Sequence, residues 1–218
     1  MRKLKPALVA HEVVDGTSTA IDDFKSGVIK NETTMTDRLF GSVAQSLNGR
    51  RIGNLKWKAY SLTSGRGKAG EETRHGADIL GVLHIDLPDI QVKKGFLLQA
   101  KKAEPGTPLV KTEWERFQAQ CKLMLERSPV SFGVIYSREA GVIFIPAQTI
   151  LEIGRDQLFD AGSRSLYGFF KSHVKCEIGD RRLSNPSIEV LDRLSQSARP
   201  DLSDFGADTV FAAKVSNA

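Results

Sequence analysis

Apolar and polar positions are patterned most clearly between Ala77 and Ala103. From Ala77 to Leu87 the chain is apolar and β-branched apart from Asp78, His84 and Asp86, which predicts a strand. Pro88-Asp89 breaks that run as a turn does. Phe96 to Ala103 resumes an extended pattern after Lys93-Lys94-Gly95, so two strands joined by a turn are expected. A side-chain period of two puts Gln99 and Lys101 on one face of the second strand, with Leu98 and Ala100 on the other. Upstream, Val28 to Leu47 changes period: Ile29, Leu39, Phe40, Val43 and Leu47 fit helical spacing, and Asn48-Gly49 is a stop signal. Glu32, Thr36, Leu39 and Val43 fall along one side of that helix.

The remaining elements follow from punctuation. Met1 to Asp23 reads as an irregular or short-stranded lead-in, with Leu8, Val9, Val13 and Val14 apolar and Asp15-Gly16-Thr17-Ser18 as a turn. Glu104-Pro105-Gly106-Thr107-Pro108 forces a loop. Thr112 with Glu115 reads as a capping box for a helix carrying Trp114, Phe117, Cys121, Leu123, Met124 and Leu125, which ends before Pro129. Val130–Tyr136 and Val142–Pro146 are strand-like runs, and Gln148–Ile153 suggests a short helix. Helix, strand, strand, helix, strand is an α/β order with a mixed central β-sheet flanked by helices. Residues 1–155 carry this core. Residues 156–218 form a C-terminal extension packed on the same domain, with a helix from Ser184-Asn185-Pro186 through Ser195. In its last stretch only Val210, Phe211 and Val215 are expected to reach a core.

Composition narrows the class. The chain has 218 residues and 40% hydrophobic content, enough to bury a core. Its formal charge of +5 permits a polyanionic partner without demanding one. Cys121 and Cys176 lie far apart, and His11, His75, His84 and His173 are equally scattered, so a zinc site is not expected. No run approaches membrane-spanning length, and the basic start is followed by too short an apolar patch for a signal peptide. No membrane association and a cytoplasmic location with free thiols are the expectation.

Charge concentrates between Asn48 and Arg74: Arg50, Arg51, Lys56, Lys58, Arg66, Lys68 and Arg74 outweigh Glu71 and Glu72, with Trp57 and Tyr60 interleaved. The Ser64–Gly70 segment has the composition of a mobile loop whose Lys and Arg can follow a phosphate backbone. Its alternative is a solvated surface loop, and its glycine spacing is not that of a Walker loop. Lys101, two residues from the oxygen of Gln99 and near Asp78 on the neighbouring strand, forms a hydrolase-like constellation. The competing reading is an edge hairpin with charged ends in water.

Gly76-Ala77-Asp78 followed by Gln99-Ala100-Lys101 on the next strand resembles the PD-(D/E)XK, or restriction-endonuclease-like, nuclease superfamily, and within it the glutamine-lysine branch of Mrr-like restriction enzymes. Asn31-Glu32-Thr33-Thr34-Met35-Thr36-Asp37-Arg38-Leu39 resembles that family's first core helix and its glutamate, so the likeness covers roughly residues 28 to 150. Two positions depart from the pattern: Gly-Ala-Asp replaces Pro-Asp, and Gln99 stands where Asp or Glu is commoner. The resemblance implies a restriction-endonuclease-like core and metal-dependent hydrolysis of DNA, with Mg2+ or Mn2+ as cofactor, in a restriction or anti-phage defence system. It makes Asp78 the central metal ligand, Gln99 a neutral oxygen ligand, the Ala100 carbonyl a further ligand, and Glu32 the source of extra negative charge. Lys101 becomes the residue that orients or deprotonates the attacking water. An acid at a helix start also complements the dipole, worth about 0.5 kcal/mol. Arg66, Lys68, Lys56, Lys58 and Lys102 are the candidate DNA contacts, and control is expected from a homo-oligomer or a regulatory partner. The alternatives are a catalytically weak or inactive nucleic-acid-binding module on the same fold, a repair or junction nuclease, and an assembly subunit whose basic surface binds an acidic protein.

Overall fold

The computed structural model describes residues 4–64, 76–198 and 200–217. The Pro88-Asp89 turn joins β3 (Ile79–Leu87) to β4 (Ile90–Lys102) as an antiparallel pair. Lys93-Lys94-Gly95 does not belong to the turn, as its composition had suggested, but lies inside β4. The strand tolerates Lys94 there because its buried ammonium donates to the carbonyls of His173 and Ile178, although burial lowers its pKa.

β1 (Arg51–Ile52), β2 (Leu55–Thr63), β5 (Ser131–Ser137), β6 (Gly141–Pro146), β7 (Arg164–Ser165) and β8 (Thr209–Asn217) complete the sheet. Its eight strands run in the order β1-β2-β8-β3-β4-β5-β6-β7. β3 is parallel to β8 and β4 to β5, while the remaining pairs are antiparallel, so the sheet is mixed. The expectation for the last stretch of chain needs correction: β8 is a central strand, and Thr209, Val210, Phe211, Ala212, Ala213 and Val215 are all buried. Small residues suit that place, since both faces of the strand are covered.

The alternation along each strand sorts side chains onto two cores. Ile79, Phe96, Leu98, Ala100, Tyr136 and Phe211 face one way, against α1 (Pro6–Lys25), α2 (Glu32–Leu47) and α5 (Leu166–Val174). Leu80, Leu97, Ile135 and Val210 face the other, against α3 (Lys111–Arg127), α4 (Ala147–Glu152) and α6 (Ile188–Leu194). The fold is thus α/β, a mixed sheet flanked by helices. Among the described residues no helix is long and apolar enough to cross a membrane.

Two helix boundaries differ from expectation. The lead-in is the helix α1, whose buried Val9, Val13, Thr17, Ala20 and Phe24 recur at three- and four-residue intervals. Gly16 is not a turn residue: a Cβ there would sit 2.4 Å from the Cβ of Ser46, so glycine lets α1 approach α2. In α3, Thr112 is already helical; Val110 is the N-cap, without a side-chain bond, and accepts from the Trp114 N–H through its carbonyl at 2.9 Å. Glu115 pairs with Lys111 at 3.8 Å.

Candidate active site

The chain enters the site through a position only glycine suits. Gly76 has φ +69°, and a Cβ on it would lie 2.4 Å from the Gln120 carbonyl oxygen of α3. Two residues on, the main chain of Asp78 is clamped from both sides. Its N–H donates to the Leu98 carbonyl at 2.9 Å, and its carbonyl accepts from Thr209 N–H at 2.8 Å. The carboxylate is thereby set against β4: Oδ2 accepts from the Ala100 N–H at 2.7 Å and from Gln99 Nε2 at 2.6 Å.

Glu32 arrives from the other layer. It is the first residue of α2, behind the N-cap Asn31, whose Oδ1 accepts from Thr34 N–H at 2.8 Å. Its Oε1 accepts from Lys102 N–H at 2.8 Å, and its Oε2 lies 3.6 Å from Lys101 Nζ. Lys101 is mostly covered, its side chain 11% exposed, with Nζ 5.9 Å from the centre of the Phe117 ring. Glu32 is therefore directed to the Lys101–Lys102 segment, while Asp78 is directed to Gln99 and Ala100.

Asp78, Gln99, Ala100, Lys101, Lys102 and Glu32 thus meet where α2 begins, β3 begins and β4 ends. Lys56 and Lys58 do not join them. They alternate with buried Leu55 and Trp57 toward the far end of β2, and Lys58 pairs with Asp192 at 3.3 Å. At about 3.3 Å per residue, Lys58 is roughly 16 Å along the strand from Thr63. Trp57, grouped with the basic residues by its place in the sequence, is a core side chain at 1% exposure. Arg66 and Lys68, with Glu71 and Glu72, lie outside the described residues.

Several site residues escape a reading of the sequence. A cleft of about 90 Å3 is lined by Glu32, Asp37, Asp78 and Asp208 together with threonines. Asp37 Oδ1 accepts from Thr63 Oγ1 at 2.9 Å and from Thr209 Oγ1 at 3.4 Å, tying α2 to the ends of β2 and β8. Beneath the cleft, buried Tyr136 shares a 2.9 Å hydrogen bond with Thr36. Burial first, and then the charges of Asp78, Glu32 and Asp37, hold its phenol far above the usual range, so it stays neutral. The available signals were Thr36, already on the Glu32 side of the helix, and Asp37, a turn beyond Thr33 on it. Thr209 and Asp208 had none, being distant in sequence.

The oxygen donors fit a hard divalent cation. Among the described residues no group of three or more His, Cys, Asp and Glu side chains could hold a metal ion. Mg2+ does not require one, since it binds through one or two carboxylates and keeps several waters. Here two carboxylates stand beside a main-chain carbonyl and an amide. Gln99 is 1% exposed, and its Oε1 has no hydrogen-bond partner. The atom beside the Asp78 carboxylate is Gln99 Nε2, and the buried Oε1 with its unused lone pairs is one amide rotation from that place, where such an ion would satisfy it. Comparison of the chain with family models, with curated proteins and with solved structures gave no match.

Proposed function

We propose that this chain is a divalent-metal-dependent endonuclease that hydrolyses DNA phosphodiester bonds, the nuclease component of a restriction or anti-phage defence system. The observation that carries the reading is the meeting of Asp78, Gln99 and Lys101 with Glu32 at one end of the sheet. The order α2, β3, β4, α3, β5 supports a restriction-endonuclease-like core. When bound, Mg2+ or Mn2+ supplies an activated water and neutralises charge on the phosphate. Asp78, Gln99 Oε1, the Ala100 carbonyl and Glu32 are the groups that would hold it. Lys101 orients the attacking water and balances developing negative charge, and its contact with Glu32 fixes where the ammonium can act. The Lys102 side chain is available for the phosphate backbone, because it is the main-chain N–H of that residue that binds Glu32.

Cleavage of supercoiled, linear and single-stranded DNA with Mg2+, Mn2+ or EDTA tests the reading. Metal-dependent cleavage lost in both Asp78→Ala and Lys101→Ala is expected. Cleavage unaffected by Asp78→Ala rules out this centre. A second reading has its own observation: in the structure the Gln99 amide nitrogen occupies the place beside Asp78, which suits a weak or inactive DNA-binding module. That reading gains if DNA is bound with a salt-dependent affinity but never cut. A junction or repair nuclease shares the same site and would reveal itself by preferring branched over plasmid substrates.

A further inference from the structure

The Gln99 side chain is satisfied on one side only. Its Nε2 lies 2.6 Å from Asp78 Oδ2 and 3.5 Å from the Ala100 carbonyl oxygen. Both neighbours are acceptors, so the nitrogen belongs on that side. Its Oε1 is then left buried without a partner. Amide oxygen and nitrogen are alike in size, and the terminal torsion of glutamine is broad and roughly two-fold. Rotation therefore exchanges the two atoms with little change in volume.

We infer that the Gln99 amide is a metal-responsive rotor: its NH2 group holds Asp78 when no cation is bound, and cation binding at Asp78 turns Oε1 toward the Asp78 carboxylate and the Ala100 carbonyl. The inference rests on the metal-binding reading of the site given above. In the turned state three oxygens face one region, which is repulsive without a cation and the preferred surrounding of a hard one. The cation must also displace a hydrogen bond to a carboxylate, one of the stronger kinds. Gln99 is consequently a brake on metal binding as well as a ligand. A glutamate at this position would need no rotation and would have no such bond to lose.

The side-chain 15N–1H2 resonances of Gln99, assigned by their absence in Gln99→Glu, report the rotation directly. Titration of the full chain with Mg2+ is expected to move the Gln99 pair away from its carboxylate-bonded position, with the same midpoint as the Ala100 main-chain amide. Calorimetry is expected to show Gln99→Glu binding Mg2+ roughly tenfold or more tightly than the parent, because the bond is lost and a negative charge is gained. If the Ala100 amide shifts and heat is released while the Gln99 pair stays in place, the rotor is overturned and the metal site stands. An affinity of Gln99→Glu equal to that of the parent, with circular dichroism showing it folded, overturns the brake. If neither resonance responds and no heat appears at millimolar Mg2+, the inference and the metal-dependent reading fall together.

Discussion

Gly76→Ala is the substitution for which the structure allows a magnitude to be worked out. At φ +69° an L-residue stands in the left-handed region, which costs about 1–2 kcal/mol. The new Cβ would also meet the Gln120 carbonyl oxygen at 2.4 Å and the Gln120 carbonyl carbon and Cα at 3.0 Å. These are main-chain atoms of α3, so no rotamer change relieves the contact, and overpacking of this kind costs about 1–3 kcal/mol. Together the two effects come to about 2–5 kcal/mol. For a chain of this size that lowers the melting temperature by roughly 5–20 °C.

Gly106 supplies the control. It has φ +71° but nothing within 4 Å of an added Cβ, so Gly106→Ala should show the backbone cost alone. Urea unfolding of both variants beside the parent measures the difference, which is the contact with Gln120. Gly76 leads directly into Asp78, so residual relaxation should displace that carboxylate, and the proposed metal-dependent cleavage should fall even where Gly76→Ala is fully folded. If Gly76→Ala costs no more than Gly106→Ala, the close approach to α3 carries no energy and the reasoning is refuted.

Other expectations rest on separate parts of the molecule. Burial, and then the charge of Lys94, push the His173 imidazole down to about 3, while an unfolded histidine titrates near about 6.5. The native ring is neutral, so its contribution is complete above about pH 6.5 and is lost as pH falls toward 3, at about 1.4 kcal/mol per pH unit. Urea midpoints at pH 7 and pH 5 should differ more in the parent than in His173→Gln, and equal differences would count against the buried neutral ring. Cys176 is exposed, whereas Cys121 is buried and its thiol is pushed up to about 12. A thiol reagent should therefore modify Cys176 in the native protein and reach Cys121 only on unfolding; rapid native labelling of both would contradict this packing. Asn31→Ala removes the cap of the helix that presents Glu32 and should cost about 1 kcal/mol, read from thermal unfolding, with a null result showing that Thr34 N–H finds another acceptor.

What the sequence disclosed and what it hid follow from contact distance along the chain. The β3–β4 hairpin, α2, β5 and β6 each carry their pattern within one short window, and each lies close to where periodicity put it. The same locality makes Gln99, Ala100 and Lys101 legible, since their relation to one another is a strand period. α1 was obscured because Gly16 and Thr17 read as a turn, when in fact one lets a neighbouring helix approach and the other donates to the Val13 carbonyl at 2.8 Å. β8 was obscured for a different reason: Ala212, Ala213 and Ser216 look like tail residues until β2 and β3 cover them from either side.

That second omission bears on the site itself. Thr209 clamps the main chain of Asp78 and, with Thr63, bonds Asp37, so the C-terminal strand supplies part of the wall around the proposed centre. Local motifs can nominate the proposed ligands, but only the strand insertion holds Asp78 between β4 and β8. The orientation of the central carboxylate is therefore a property of the whole sheet. A substitution that loosens β8 at Thr209 should disturb Asp78 as surely as one made in the hairpin.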